Sequence, residues 1–282
     1  MNLFFYPIIF IFGLIVGSFL NCVIYRLALQ NFSEKNLGGQ EKRESFLKGR
    51  SYCPQCKHLL NWQDLIPVFS FLILKGKCRY CKKPISLQYP LVELATGGLF
   101  LLIFNFQQFG PELTTEGFLV FNFLNLIYYW IIFCFLIVIF VFDLRHYIIP
   151  DKVIYPAIII ALIFNSQFLI SKQFSIFNYS ILSAFGAAVF FLAIVLISRG
   201  KWMGIGDIKL TFFMGLFLGF PNILVAIFLS FILGAIIGIE LIISGKKTLK
   251  SEIPFGPFLV TGTIIGFFWG QEIINWYLNL FL

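Results

Sequence analysis

Eight apolar windows constrain this chain more than any single motif does. They fall near residues 4–25, 91–108, 118–142, 153–170, 176–198, 208–220, 222–244 and 257–280. As helices, most of them are long enough to cross about 30 Å of hydrocarbon. Only 12% of the 282 residues are charged and 59% are hydrophobic, so the chain lacks the polar surface that a soluble protein of this length needs. The expected fold is an all-α polytopic membrane protein with about eight transmembrane helices. No basic stretch precedes the first window, which reads as a retained helix and not as a removed signal peptide. The sixth window, bounded by Asp207, Lys209 and Pro221, is the shortest.

Charge orients the expected bundle. Of 21 Lys and Arg residues, 12 lie between Arg26 and Lys83. With eight alternating spans, every other base except Lys172 falls on that same side. Basic loops are retained in the cytoplasm. Both termini therefore face outward, and Asp143, Asp207 and the loop after the first span face the cytoplasm. The formal net charge of +8 is then an orientation signal that also suits anionic headgroups, and no nucleic-acid partner is needed to explain it. Three segments follow: a first helix (1–26), a cytoplasmic loop domain (27–90) and a seven-helix core (91–282).

The loop domain carries Cys53-Pro54-Gln55-Cys56 and Cys78-Arg79-Tyr80-Cys81, separated by 21 residues. Each CxxC presents two sulfurs from one tight turn, and two such knuckles complete a tetrahedron around zinc. A reducing compartment disfavours disulfides, and a domain of about 60 residues with few apolar anchors needs a staple. Four thiolates leave no open position, so Cys53, Cys56, Cys78 and Cys81 read as a structural site. The plainer alternative is a pair of reduced or redox-active CxxC turns. Cys22 and Cys134, within apolar windows, read as small buried hydrophobes.

Three aspartates stand at membrane edges: Asp143, Asp151 and Asp207. A carboxylate at the centre of a membrane helix costs roughly 2.5–3.5 kcal/mol, so each is a functional candidate by default. An aspartyl protease needs two carboxyls close enough to share a proton. One, ionised, takes a proton from water while the other, protonated, polarises the scissile carbonyl. Gly204 and Gly206 allow close backbone approach beside Asp207. The structural alternative is that these aspartates cap helices. Spacing alone leaves Asp143 and Asp151 both open as the partner of Asp207. Glu93 and Glu240 fall inside windows and are further candidates for a polar site.

The ordered set of motifs resembles the type IV prepilin peptidases, bifunctional leader peptidases and N-methyltransferases of bacterial pilus and type II secretion systems. The likeness runs from about residue 13 to 263. It comprises Gly17-Ser18-Phe19-Leu20-Asn21-Cys22 through Leu27, Ser51 to Cys56, Trp62 to Pro67 and Cys78 to Cys81. Tyr89-Pro90-Leu91-Val92-Glu93, Asp143 to Asp151, Gly204-Ile205-Gly206-Asp207-Ile208-Lys209 and Ile253 to Phe258 complete it. The resemblance implies that Asp143 and Asp207 are the catalytic pair. Asp151, Gly204, Gly206, Lys209 and Glu93 then hold accessory or positioning roles.

It further implies prepilin or pseudopilin substrates with a short basic leader, cut after a glycine at the cytoplasmic face of the bacterial inner membrane. The new N-terminal residue, usually Phe, is then methylated from S-adenosylmethionine. The full cysteine tetrad argues that the methyltransferase half is kept. No glycine-rich motif marks the donor site, for which Gly17 to Arg26 and Glu93 are the candidates. Rival readings are a transporter with intramembrane carboxylates, a peptidase without methyltransferase activity, and a membrane-anchored zinc module that binds partners.

Overall fold

The computed structural model describes residues 4–36, 50–108, 116–170, 174–248 and 251–280. Lys172 and the basic run Lys42–Lys48, both used in orienting the chain, lie outside them. Nine helices are described: α1 (Phe5–Asn36), α2 (Phe69–Ile73), α3 (Gln88–Gln108), α4 (Glu116–His146), α5 (Asp151–Ile170), α6 (Phe174–Ser198), α7 (Ile205–Leu218), α8 (Asn222–Ile243) and α9 (Gly256–Asn279). A single 3-10 turn, Trp62–Leu65, joins them. Every apolar window became a helix, because hydrocarbon leaves backbone groups no partner except those within the helix itself.

Against the eight spans expected, six helices among the described residues are long and apolar enough to cross a membrane: α1, α3, α4, α6, α8 and α9. Helix α7 has 14 residues, about 21 Å at 1.5 Å per residue, and is shorter than these six. Helix α5 has 20 residues and opens on the charged pair Asp151-Lys152; its side chains from residue 166 on lie outside those described.

The chain divides into two compact units, Met1–Val138 and Ile139–Leu282. In the first, α1 packs on α3 through glycines one turn apart. A Cβ on Gly13 would lie 2.7 Å from Gly97 Cα, and one on Gly17 would lie 2.7 Å from Glu93 Cα. Such small-xxx-small rows let membrane helices touch backbone to backbone. Trp130 of α4 stacks on Phe100 of α3 with centroids 4.8 Å apart.

In the second unit α7 packs between α5 and α6, and α8 packs on α9. Gly262, Gly266 and Gly270 of α9 form another row of small residues, against Asn222, Ala226 and Ser230 of α8. Hydroxyls buried in this unit turn back onto their own helices: Thr211 donates to Asp207 O, Ser230 to Ala226 O and Thr263 to Leu259 O.

Candidate active site

Helix α4 ends just past Asp143. Tyr147 takes a left-handed conformation (φ 57°) and its N–H donates to Asp143 O at 2.8 Å, closing the last turn. The Asp143 side chain is buried, with the residue 4% exposed. Its Oδ2 accepts the backbone N–H of Gly256 at 3.0 Å. Gly256 is the first residue of α9, so the carboxylate sits on a helix N-terminus, where unpaired N–H groups and the helix dipole favour negative charge.

Asp207 occupies the first turn of α7 and is 8% exposed. Its Oδ2 reaches back to the N–H of Gly204, the N-cap, at 3.1 Å. Both aspartates thus rest one oxygen on a glycine N–H at the start of a helix. The charge of Asp143 acts on Asp207, so the two carboxyls lie within electrostatic reach. The helix-cap alternative for Asp207 describes its local geometry well. It does not account for Asp143, whose N–H donor lies 113 residues away in sequence.

The two motif glycines differ in what they permit. A Cβ on Gly206 would lie 3.2 Å from Ile149 Cβ, so this glycine lets the first turn of α7 settle against the segment that follows Asp143. A Cβ on Gly204 would meet nothing nearer than 3.8 Å. Asp151 pairs with Lys209, Oδ1 to Nζ 2.6 Å, and the Lys209 ammonium also lies 4.9 Å from the Tyr155 ring centre. Its carboxylate therefore ties the start of α5 to α7. Glu240 lies in the last turn of α8 and is exposed, so it is not the deeply set charge expected from its window. Residue types alone missed Gly256. The signal available was a glycine held between Pro254 and Pro257 at a helix start.

The cysteine knuckles are near copies of each other. Cys53 N–H donates to His58 O at 3.0 Å and Lys57 N–H to Cys53 O at 2.8 Å. Cys78 N–H donates to Lys83 O at 2.9 Å and Lys82 N–H to Cys78 O at 3.0 Å. Lys57 and Lys82 both adopt positive φ, 56° and 58°. The four sulfurs lie within 4.8 Å of one another, and Cys53 Sγ is 3.9 Å from Cys81 Sγ. Tetrahedral zinc at about 2.3 Å from each sulfur needs a spacing of about 3.8 Å, so the tetrad fits that ion.

Burial resists ionisation of Cys53, but N–H groups of Cys56 and Gln55 aimed at its sulfur outweigh this and lower its thiol to about 7. Asp64 ties the knuckles to the preceding turn. It accepts Arg79 Nε at 2.7 Å, Tyr80 Oη–H at 3.0 Å and Asn61 N–H at 3.2 Å.

In the same unit, the buried Glu93 of α3 accepts the Val68 N–H on Oε2 at 2.7 Å and a hydrogen bond from Ser18 of α1. Nearby on the same helix pair, Asn21 Nδ2 donates to Tyr89 O at 3.0 Å and Gln88 Nε2 donates to Asn21 Oδ1 at 3.4 Å. The Gln88 Oε1 is buried without a donor.

Six membrane-crossing helices and a pair of buried aspartates held on backbone donors define a multi-pass membrane protein with an acidic centre. The family model described as Bacterial Peptidase A24 N-terminal domain matches residues 11–106, the stretch that holds the cysteine tetrad. That described as Type IV leader peptidase family matches residues 130–239, which hold both aspartates. Relatives extend the match to the whole chain. The Prepilin leader peptidase/N-methyltransferase of Legionella pneumophila is 34% identical over 294 residues, covering 99% of this chain and 96% of its own.

Proteins of the same name from Aeromonas hydrophila and Bacillus subtilis (strain 168) are each 32% identical. The alignments cover 99% and 98% of this chain and 95% and 98% of the relatives. No solved structure matches the chain. The chain belongs to the type IV leader peptidase family.

Proposed function

We propose that this protein removes the basic leader of type IV prepilins or pseudopilins and methylates the N-terminal residue so exposed. The observation that carries the cleavage half is that Asp143 and Asp207 are both buried in one compact unit, each anchored on a glycine N–H at a helix start, with Gly206 of the Asp207 turn packed on Ile149 of the segment after Asp143. Two such carboxyls share one proton, because like charges a few Å apart do not both ionise readily. The ionised member takes a proton from water, whose oxygen attacks the carbonyl carbon. The protonated member donates to the carbonyl oxygen. The tetrahedral centre then collapses, the C–N bond breaks, and the leaving amine takes up a proton.

Backbone donors suit this task because they hold carboxylates in place without titrating. The cut falls on the cytoplasmic side, where the basic loops of the chain and the basic leader are both retained. With α5 and α7 also crossing, eight alternating spans put Asp143 and Asp207 on that one side and both termini outward across the bacterial inner membrane.

The zinc tetrad stiffens the loop domain and has no open position for chemistry. S-adenosylmethionine, when bound, supplies an electrophilic methyl group. Between α1 and α3, the buried Glu93 carboxylate and the Gln88 Oε1 that lacks a donor present acceptors to the cationic groups of this reaction. Co-expression of a prepilin with the wild type, Asp143→Asn and Asp207→Asn tests both halves, read by mass spectrometry of the pilin N-terminus. Wild type yields a leaderless subunit carrying one added methyl group, and each Asn variant leaves the leader in place. Normal processing by both Asn variants would sink the assignment.

A further inference from the structure

Glu93 is a buried carboxylate that peptide cleavage does not use. It stands 7% exposed in the first turns of α3, facing α1. Its partners are neutral: the Val68 N–H and the Ser18 hydroxyl. No Lys or Arg among the described residues pairs with it. A buried carboxylate normally has a cation or metal beside it, because uncompensated charge is costly to desolvate.

A structural role explains part of this. Val68 is held at φ 59°, ψ −50°, in a γ-turn that a β-branched residue adopts only under strain, and Glu93 holds its N–H. A glutamine oxygen accepts that N–H equally well, at a lower desolvation cost. The charge therefore serves something else.

The neighbouring groups indicate what. Gln88 also faces α1, through its hydrogen bond to Asn21, and its Oε1 is buried with no donor. Asn21 and Ser18 lie three residues apart on α1, hence on one face. The seam between α1 and α3 thus holds a carboxylate met only by neutral donors and an amide oxygen met by none. A primary ammonium satisfies this surplus: it brings a positive charge and three N–H donors. A sulfonium centre brings the charge but no donor.

We infer that Glu93, with Gln88 and Asn21, forms an ammonium-binding site at the α1–α3 seam that holds the amine to be methylated. This deepens the methyltransferase reading and rests on it. Two ammonium groups belong to that reaction, the new N-terminus of the processed subunit and the α-ammonium of the methyl donor. The site is assigned to the first, and the test separates them.

Full-length wild type and Glu93→Gln are compared in detergent micelles. Glutamine keeps an acceptor for Val68 and Ser18 and removes only the charge. Zinc content and melting temperature report the fold. Binding is measured for a peptide that begins at the Phe of the mature subunit, with its N-terminus free or acetylated. It is measured also for S-adenosylhomocysteine and for the same compound without its amino group.

Wild type prefers the free-amine peptide by about tenfold or more, the scale of a hydrogen bond to a charged group, and Glu93→Gln loses that preference. Three outcomes would overturn the inference. One is a wild type indifferent to acetylation, or a variant that keeps the preference. Another is an effect confined to the nucleoside pair, which would give the site to the donor. The third is zinc loss or a collapsed melting temperature in Glu93→Gln, which would make Glu93 a clasp for Val68 alone. Absence of methyl groups on subunits processed by the wild type would sink the methyltransferase reading itself.

Discussion

Replacing Gly256 by alanine should disable the acidic pair without touching either carboxylate. The added Cβ would lie 2.5 Å from Asp143 Oδ2, 3.0 Å from its Cγ and 3.3 Å from its Cβ. An ordinary contact begins near 3.4 Å, so the carboxylate must retreat by about 0.9 Å. That movement breaks the 3.0 Å bond from the Gly256 N–H, a hydrogen bond to a charged group of about 1.5–3 kcal/mol. A misplacement of about 1 Å costs on the order of 100-fold in rate, or about 2.7 kcal/mol of barrier.

The other motif glycines make the comparison sharp. At Gly206 the new Cβ would meet Ile149 Cβ at 3.2 Å, which a few tenths of an ångström relieves. At Gly204 it would meet nothing within 3.7 Å, and φ −85°, ψ 160° suits any residue. The expected order of damage is therefore Gly256→Ala, then Gly206→Ala, then Gly204→Ala. The last should stay within about twofold of wild type, the scale of a neutral substitution. The assay is kcat/KM for prepilin cleavage by purified full-length protein, with melting temperature and zinc content as controls. Wild-type turnover by Gly256→Ala would refute the view that this N–H positions Asp143. Equal loss in Gly204→Ala and Gly256→Ala would refute the steric ranking.

Elemental analysis should find one zinc per chain, lost on replacing Cys53 or Cys78 by serine, since three thiolates cannot close the tetrad. Asp64→Asn should lower the melting temperature by an amount that depends on pH. Burial opposes the charge of Asp64, but the bonds from Arg79, Asn61 and Tyr80 outweigh it and hold the carboxyl below its ordinary value. Its contribution is then complete above the unfolded value near about 3.9 and is lost as pH falls through the lower folded value. The gap between wild type and Asp64→Asn should hold steady from about pH 8 to 5 and close below about pH 4. A gap that widened on acidification would contradict the sign.

The helices were legible because a membrane enforces them. Hydropathy alone located eight of the helices, most to within a few residues, though α1 runs on to Asn36, well past its window. It did not tell which helices face lipid, since a run of Leu, Ile and Phe reads alike in a lipid-facing helix and in one packed inside the protein. Helix α7 is the case in point: Leu210, Phe213 and Met214 are fully buried, packed by neighbours instead of lipid. The cysteine tetrad was legible because its four sulfurs come from two local turns of fixed spacing.

The partners of the carboxylates were not legible, because they are distant in sequence. Gly256 meets Asp143 across 113 positions, Lys209 meets Asp151 across 58, and Val68 meets Glu93 across 25. No local pattern encodes such pairings. The choice of Asp143 over Asp151 came from the resemblance, and Asp151 is the one of the three aspartates that meets a lysine.

That ion pair also bears on the proton sharing proposed for Asp143 and Asp207. An Arg or Lys beside either carboxylate would hold it ionised and abolish the sharing. Lys209 is the obvious threat, two residues beyond Asp207. Two residues along a helix is a turn of about 200°, so its side chain leaves α7 on the far side from Asp207. There Asp151 and the Tyr155 ring take up its charge. The donors that do touch the aspartates, the N–H groups of Gly204 and Gly256, carry only the partial charge of a helix start. They offset part of the cost of burying the carboxylates and fix the direction of each one. They stop short of the full countercharge that would hold both carboxyls ionised, as the proposed proton sharing requires.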